Sequence, residues 1–75
     1  MKDNYNPNEQ SSASQKAQIL RHMQSGYSLT PIQALHLFGS LRLPARISEI
    51  RQDGWDVKSE FVKLPNGKRV KRYFL

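Results

Sequence analysis

The chain has 75 residues, with 12 Lys and Arg against 6 Asp and Glu, for a net charge of +6. That length allows one small domain with a modest core, and the absence of cysteine excludes a disulfide framework and a thiolate metal site. No apolar run approaches the roughly 20 residues that span a bilayer, and the polar start MKDNYNPNEQSS is no signal peptide, so a soluble, cytoplasmic chain is expected.

Residues 1–14 are rich in Asn, Gln and Ser, and Lys2 against Asp3 and Glu9 leaves a net charge of −1. Such a stretch buries too little apolar surface to offset its ordering entropy. It is expected to be a disordered polar tail ahead of a domain over 15–75. As an arm for a minor groove it offers only Lys2 before Lys16, so that role is set aside.

Helical periodicity begins near Ser14, an N-cap candidate. Ala17, Ile19, Leu20 and Met23 are expected to face inward, and Gly26 to stop the helix in a left-handed cap. Thr30-Pro31 is the strongest helix start in the chain: a side-chain acceptor, then a proline where the missing N–H costs nothing. The second helix, Pro31 to Phe38, is expected to turn Ile32, Leu35 and Phe38 inward, with Ala34 and Leu37 alongside. Gly39 then turns the chain sharply.

The third helix is expected to run to Asp53 and to stop at Gly54. Ser40 is one candidate for its N-cap, but Pro44 would then crowd the Ser40 carbonyl. Proline also steers Leu43 away from helical dihedrals, so the regular helix should begin between Leu41 and Pro44. Leu43, Ile47 and Ile50 form the inward stripe. At about 100° per residue, Leu41, Ala45, Ser48 and Gln52 point away from it, with Arg42 on the shoulder and Arg46 nearer the core edge. Two helices joined this abruptly cross steeply, as in a helix-turn-helix.

After Gly54 the period becomes two. WDVKSEFVKLPNGKRVKRYFL reads as a hairpin around a two-residue Asn66-Gly67 turn. That register sets Leu64 opposite Arg69, Val62 opposite Lys71 and Phe61 opposite Arg72, and neither face is cleanly apolar. Trp55 and Val57 are expected to close the core beneath the third helix. Residues 61–75 carry Lys63, Lys68, Arg69, Lys71 and Arg72 with no acid, a net of +5. A basic concentration of this kind attracts phosphate backbones by counterion release.

The expected fold is mainly α with a C-terminal β-hairpin: a winged helix-turn-helix of three helices plus wing. The motifs SLTPIQALHLFG, LRLPARISEIRQDGW and NGKRVKRYFL carry a resemblance, from Ile19 to Leu75, to the small helix-turn-helix family common in phages and prophages. The resemblance implies a third helix that reads DNA and a hairpin wing on the adjoining backbone. It implies a sequence-specific binder of double-stranded DNA, a phage or prophage transcriptional regulator. Pro44 departs from a typical reader helix of that family.

The residues support the same role independently. Ala45 and Ser48 leave room for a close approach to the major-groove floor, and Arg42 has the fork for guanine or phosphate. Arg46 is suited to backbone or base, or to a pair with Glu49 or Asp53 on its own helix. Thr30 and Gln33 stand at a helix N-terminus, where phosphates bind, and Ser40 belongs to the same contact set at the turn. Lys68, Arg69 and Lys71 would hold phosphates or probe the minor groove; the plainer reading makes them charged guards of an edge strand.

Other classes are less supported. His22 and His36 lie on different helices without cysteine company, and neither a nucleophile–histidine spacing nor a Gly-rich phosphate loop exists, so no enzyme, metal or cofactor is expected. RNA binding is disfavoured because no aromatic platform is evident. A membrane-surface role would need a basic amphipathic helix, whereas the charge sits on a hairpin. Two alternatives remain: an interaction module for a protein partner, motivated by an exposed Leu41, and an excisionase-like architectural factor beside a recombinase. Monomers side by side and a two-fold dimer are both compatible with the pattern.

Overall fold

A computed structural model describes residues 12–75. Three helices, α1 (Ser12–Gln24), α2 (Pro31–Phe38) and α3 (Leu43–Gln52), precede an antiparallel hairpin of β1 (Lys58–Lys63) and β2 (Arg69–Phe74). The expected tail over 1–14 falls mostly outside the described residues. Where the two overlap, α1 already begins at Ser12, so Ser14 lies inside the helix and not at its cap. Among the described residues no helix is long and apolar enough to cross a membrane.

The core is Ile19 and Met23 from α1, Leu29, Ala34 from α2, Leu43, Ile47 and Ile50 from α3, Val57 and Tyr73. The α1 stripe is Ile19 and Met23, at i and i+4, with Leu20 packed beside them. Ala17 is exposed, correcting its expected place inside, because two residues before Ile19 is about 200° around the helix. The α3 stripe is the expected one. Asp53 forms the C-cap of α3, and Gly54 at φ 102° closes the helix through Gly54 N to Arg51 O (3.0 Å) and Trp55 N to Ile50 O (3.3 Å). Pro44 sits in the first turn, where its missing N–H has no helical partner to lose.

The second helix starts and ends where expected but is turned differently. Thr30 caps it with a reciprocal box: Gln33 N donates to Thr30 Oγ1 at 3.4 Å, and Thr30 N donates to Gln33 Oε1 at 3.0 Å. Gly39 ends it at φ 67°. The buried face runs Thr30, Ala34 and half-buried Phe38, at i, i+4 and i+8, while Ile32, Leu35 and Leu37 are exposed. An eight-residue helix that is apolar nearly all round carries no unique inward face. Packing against α1 and α3 selects small Ala34 for the contact, since a short side chain lets helix axes approach.

The hairpin differs by one residue of register. Phe61 pairs with Lys71, Val62 with Val70 and Lys63 with Arg69. The loop is Pro65-Asn66-Gly67, closed by Leu64 N to Lys68 O (2.7 Å) and Gly67 N to Leu64 O (2.9 Å), with Gly67 at φ 86°. A two-residue turn would require Pro65 to donate an N–H to Lys68, and proline has none. A turn with proline second and glycine left-handed, followed by a bulge, is the three-residue solution. Trp55 also departs from expectation: it is partly exposed, and Val57 alone closes the core there.

The hairpin is tied to the helices through the α1–α2 connection. Leu29 N donates to Tyr73 O and Tyr73 N to Leu29 O, both at 2.8 Å, adding a one-residue third strand. Arg51 of α3 donates from Nε (3.1 Å) and Nη2 (2.8 Å) to Val57 O, fixing where the chain leaves α3 for β1. The half-buried His22 ring completes the frame, with Nε2 3.0 Å from Ser28 O and its ring against Tyr27 and Phe38. Two changes gauge this frame by urea denaturation. Ile47→Ala should cost about 2–5 kcal/mol of unfolding free energy through the cavity it leaves. Thr30→Ala should cost about 0.5–2 kcal/mol through loss of the cap.

Candidate nucleic-acid interface

The face of α3 turned from the core presents Arg42, Ser48 and Gln52 exposed and Ala45 half-buried. Leu41, directly before the N-cap residue Arg42, is 82% exposed. The outward surface of this helix is therefore low in relief at its centre, with a cation at its N-terminal end. Arg42 is the N-cap residue, yet its side chain makes no cap bond and has no carboxylate partner among the described residues. Its guanidinium is free for an external acceptor.

Arg46 is placed otherwise. Its side chain is 12% exposed, and Nη2 donates to Glu49 Oε2 at 3.0 Å. Of the two arrangements the sequence left open, the helix adopts the internal pair. Asp53, the other candidate partner, accepts instead from Lys16 Nζ of α1 at 2.8 Å.

Thr30 and Ser40 are corrected as contact residues. Thr30 is 8% exposed, with its hydroxyl committed to the capping box. Ser40 is 1% exposed; its backbone N donates to Ala34 O at 3.2 Å, and its Oγ is enclosed without a hydrogen-bond partner. The tight turn draws both inward, and a buried hydroxyl cannot reach a phosphate. Gln33 is exposed, and its amide nitrogen takes no part in the capping box.

The wing gathers the strongest charge. Lys63, Lys68, Arg69 and Lys71 are exposed, and none has a carboxylate partner among the described residues, whereas Arg72 is paired with Glu60 across the strands. Arg69 Cζ lies 4.9 Å and Lys71 Nζ 5.8 Å from the centroid of the exposed Phe61 ring. Lys63 and Phe61 join Arg69 and Lys71 on one side of the hairpin, a grouping that the two-residue turn would have broken. The signal that finds them is the proline in the turn. An aromatic surrounded by cations, expected to be absent, is thus present.

The remaining side-chain chemistry is sparse. Among the described residues no three His, Asp or Glu side chains gather as a metal site requires. The Lys16 ammonium is held above its usual range, chiefly by its hydrogen bond to Asp53, against a smaller opposing effect of desolvation.

The winged helix-turn-helix domain family matches this chain over residues 14–75, and the chain belongs to it. This is a DNA-binding fold, and the exposed face of α3 and the unpaired cations of the wing agree with that role. Neither the curated proteins nor the solved structures contain a match.

The Lys16–Asp53 pair gives a test of how α1 is joined to the end of α3. A raised lysine pKa contributes stability that is complete below the unfolded lysine value of 10.5 and fades as pH rises through the folded value. The melting-temperature difference between wild type and Lys16→Met should therefore hold steady to about pH 10 and shrink above it.

Proposed function

We propose that this protein is a sequence-specific binder of double-stranded DNA that inserts α3 into the major groove and lays the hairpin on the adjoining backbone. Its biological role in this reading is transcriptional regulation of the phage or prophage type. The observation that carries it is a division of surface. α3 offers low-relief Ala45 and Ser48 beside unpaired Arg42, and the wing supplies cations with no neutralising acid. Small residues let the helix approach base edges, where Ala45 meets a thymine methyl and Arg42 a guanine or a phosphate. Lys68, Arg69 and Lys71 hold backbone, and Gln33 adds a phosphate contact at the start of α2. Arg46, paired with Glu49, orients the helix face more than it grips DNA.

Selection of bound sequences from a random duplex library, followed by anisotropy titrations on the recovered site, tests this reading. With four to six phosphates neutralised, log affinity should fall against log salt with a slope of about −4 to −5. Arg69→Gln should reduce that slope by about 0.9 on any sequence. Arg42→Ala should relax preference at one base pair by about 1–3 kcal/mol. Failure to bind duplex at low salt, or an affinity indifferent to salt, overturns the reading.

One observation favours a second reading. An apolar groove of about 450 Å³ opens between α2, the α2–α3 turn and the hairpin, lined by Pro31, Ile32, Leu35, Leu41, Leu64 and Val70. An interaction module or an architectural factor beside a recombinase would use such a groove for a protein partner. Ile32→Gln would then abolish partner binding while leaving DNA affinity unchanged.

A further inference from the structure

Toward its tip, the observed register sorts the hairpin into two faces of opposite character. Paired residues of an antiparallel ladder point to the same side, and successive residues alternate. One side carries half-buried Val62 and Val70 together with the Glu60–Arg72 ion pair. The other carries Phe61, Lys63, Arg69 and Lys71 toward the tip, and Ser59 with the core residue Tyr73 at the base of the hairpin. Glu60 is the sole acid within β1 and β2, and it lies on the first side, already paired. Toward the tip, beyond buried Tyr73, the second side therefore holds three cations and one exposed aromatic ring with no anion.

Phe61 has no packing duty that explains it. It is 58% exposed and lies outside the core cluster, while its strand neighbour Val62, on the opposite side, is half-buried. Its contacts are instead the Arg69 guanidinium and the Lys71 ammonium, at distances where cations are drawn to a ring face. These cross-strand contacts hold the ring in place without neutralising either charge.

From this arrangement we infer that the Phe61 face of the wing is a binding site for an unpaired nucleotide, with the base stacked on the ring and its flanking phosphates on Arg69, Lys71 and Lys63. Charge complementarity selects a polyanion, and the ring selects which kind. Bases within a duplex are stacked on one another and expose only their edges, so a phenyl face gains nothing from them. An unpaired base offers its whole π-face, and cations beside an aromatic ring are the combination that binds single strands. The guanidinium now against the ring follows the incoming phosphate as the base takes its place. The inference rests on the nucleic-acid reading for its polyanion but not on α3 entering the major groove. It assigns the wing to a melted, frayed or single-stranded segment.

The test uses the full chain and two labelled ligands, a dT15 single strand and a blunt-ended mixed-sequence duplex without a loop, titrated by fluorescence anisotropy at low salt. Phe61→Ala should weaken dT15 binding by about 5- to 100-fold, the loss of one stacking partner, while duplex affinity stays within about twofold. Phe61→Trp should retain or strengthen dT15 binding, and Phe61→Leu, apolar but without a π-face, should not rescue it. Retained duplex affinity in Phe61→Ala shows that the variant folds; where it falls, far-UV circular dichroism and the behaviour of Phe61→Leu against Phe61→Trp decide. Equal weakening of both ligands by Arg69→Gln with Lys71→Gln, and none by Phe61→Ala, would mean charge alone and overturn the site. Duplex binding without dT15 binding overturns the site and leaves the major-groove reading standing. Phe61-dependent dT15 binding without duplex binding does the reverse.

Discussion

The structure depends on a single backbone pairing, the two hydrogen bonds between Leu29 and Tyr73. A two-stranded hairpin is marginal in water on its own. Here β2 gains a second neighbour, and Tyr73 and Leu29 bury their side chains in the helical core at the same place. The pairing converts a hairpin on a flexible leash into a wing with a fixed position relative to α3. Arg51 does the same at the other end by clamping the Val57 carbonyl, so both ends of the hairpin are referred to the helical body.

Once the wing is fixed, its two sides face different worlds. The valine side, through Val70, joins Leu64 and α2 in an apolar groove, and its Arg72 is met by Glu60. The other side keeps its cations unpaired around Phe61. Separation of this kind keeps the positive potential where a polyanion can use it and away from the apolar groove, where an unpaired charge would be costly to desolvate. The α3 surface complements it: the pair between Arg46 and Glu49 removes one cation from circulation and leaves Arg42 as the free one on that helix.

Much of the local structure was legible because it is written in local chemistry. Thr30-Pro31 starts α2 because a hydroxyl can cap and a proline needs no N–H there. Gly39 ends it because a left-handed residue is cheap only for glycine, and Leu43, Ile47 and Ile50 face inward because their spacing makes one stripe. Of the residues proposed to meet DNA, Arg42, Ser48, Lys68, Arg69 and Lys71 are exposed, with Ala45 half-buried beside them. Thr30 and Ser40 do not, because the same turn that places α3 buries their hydroxyls. The register could have been read from Pro65, whose missing N–H forbids the shorter turn that Asn66-Gly67 suggested.

The sequence by itself determined where α2 begins and ends, that glycines stop α1 and α3, which stripe of α3 is buried, and that the positive charge gathers at the C-terminal hairpin. Each of these follows from interactions within a few residues, where side-chain caps, proline and glycine act on the backbone directly. Only the tertiary structure decided which side of α2 faces the core, that Trp55 stays partly outside, and that Phe61 stands among Lys63, Arg69 and Lys71. An apolar helix has no preferred side until a neighbour is packed against it. The company a strand residue keeps depends on a partner strand whose register a single missing N–H can move.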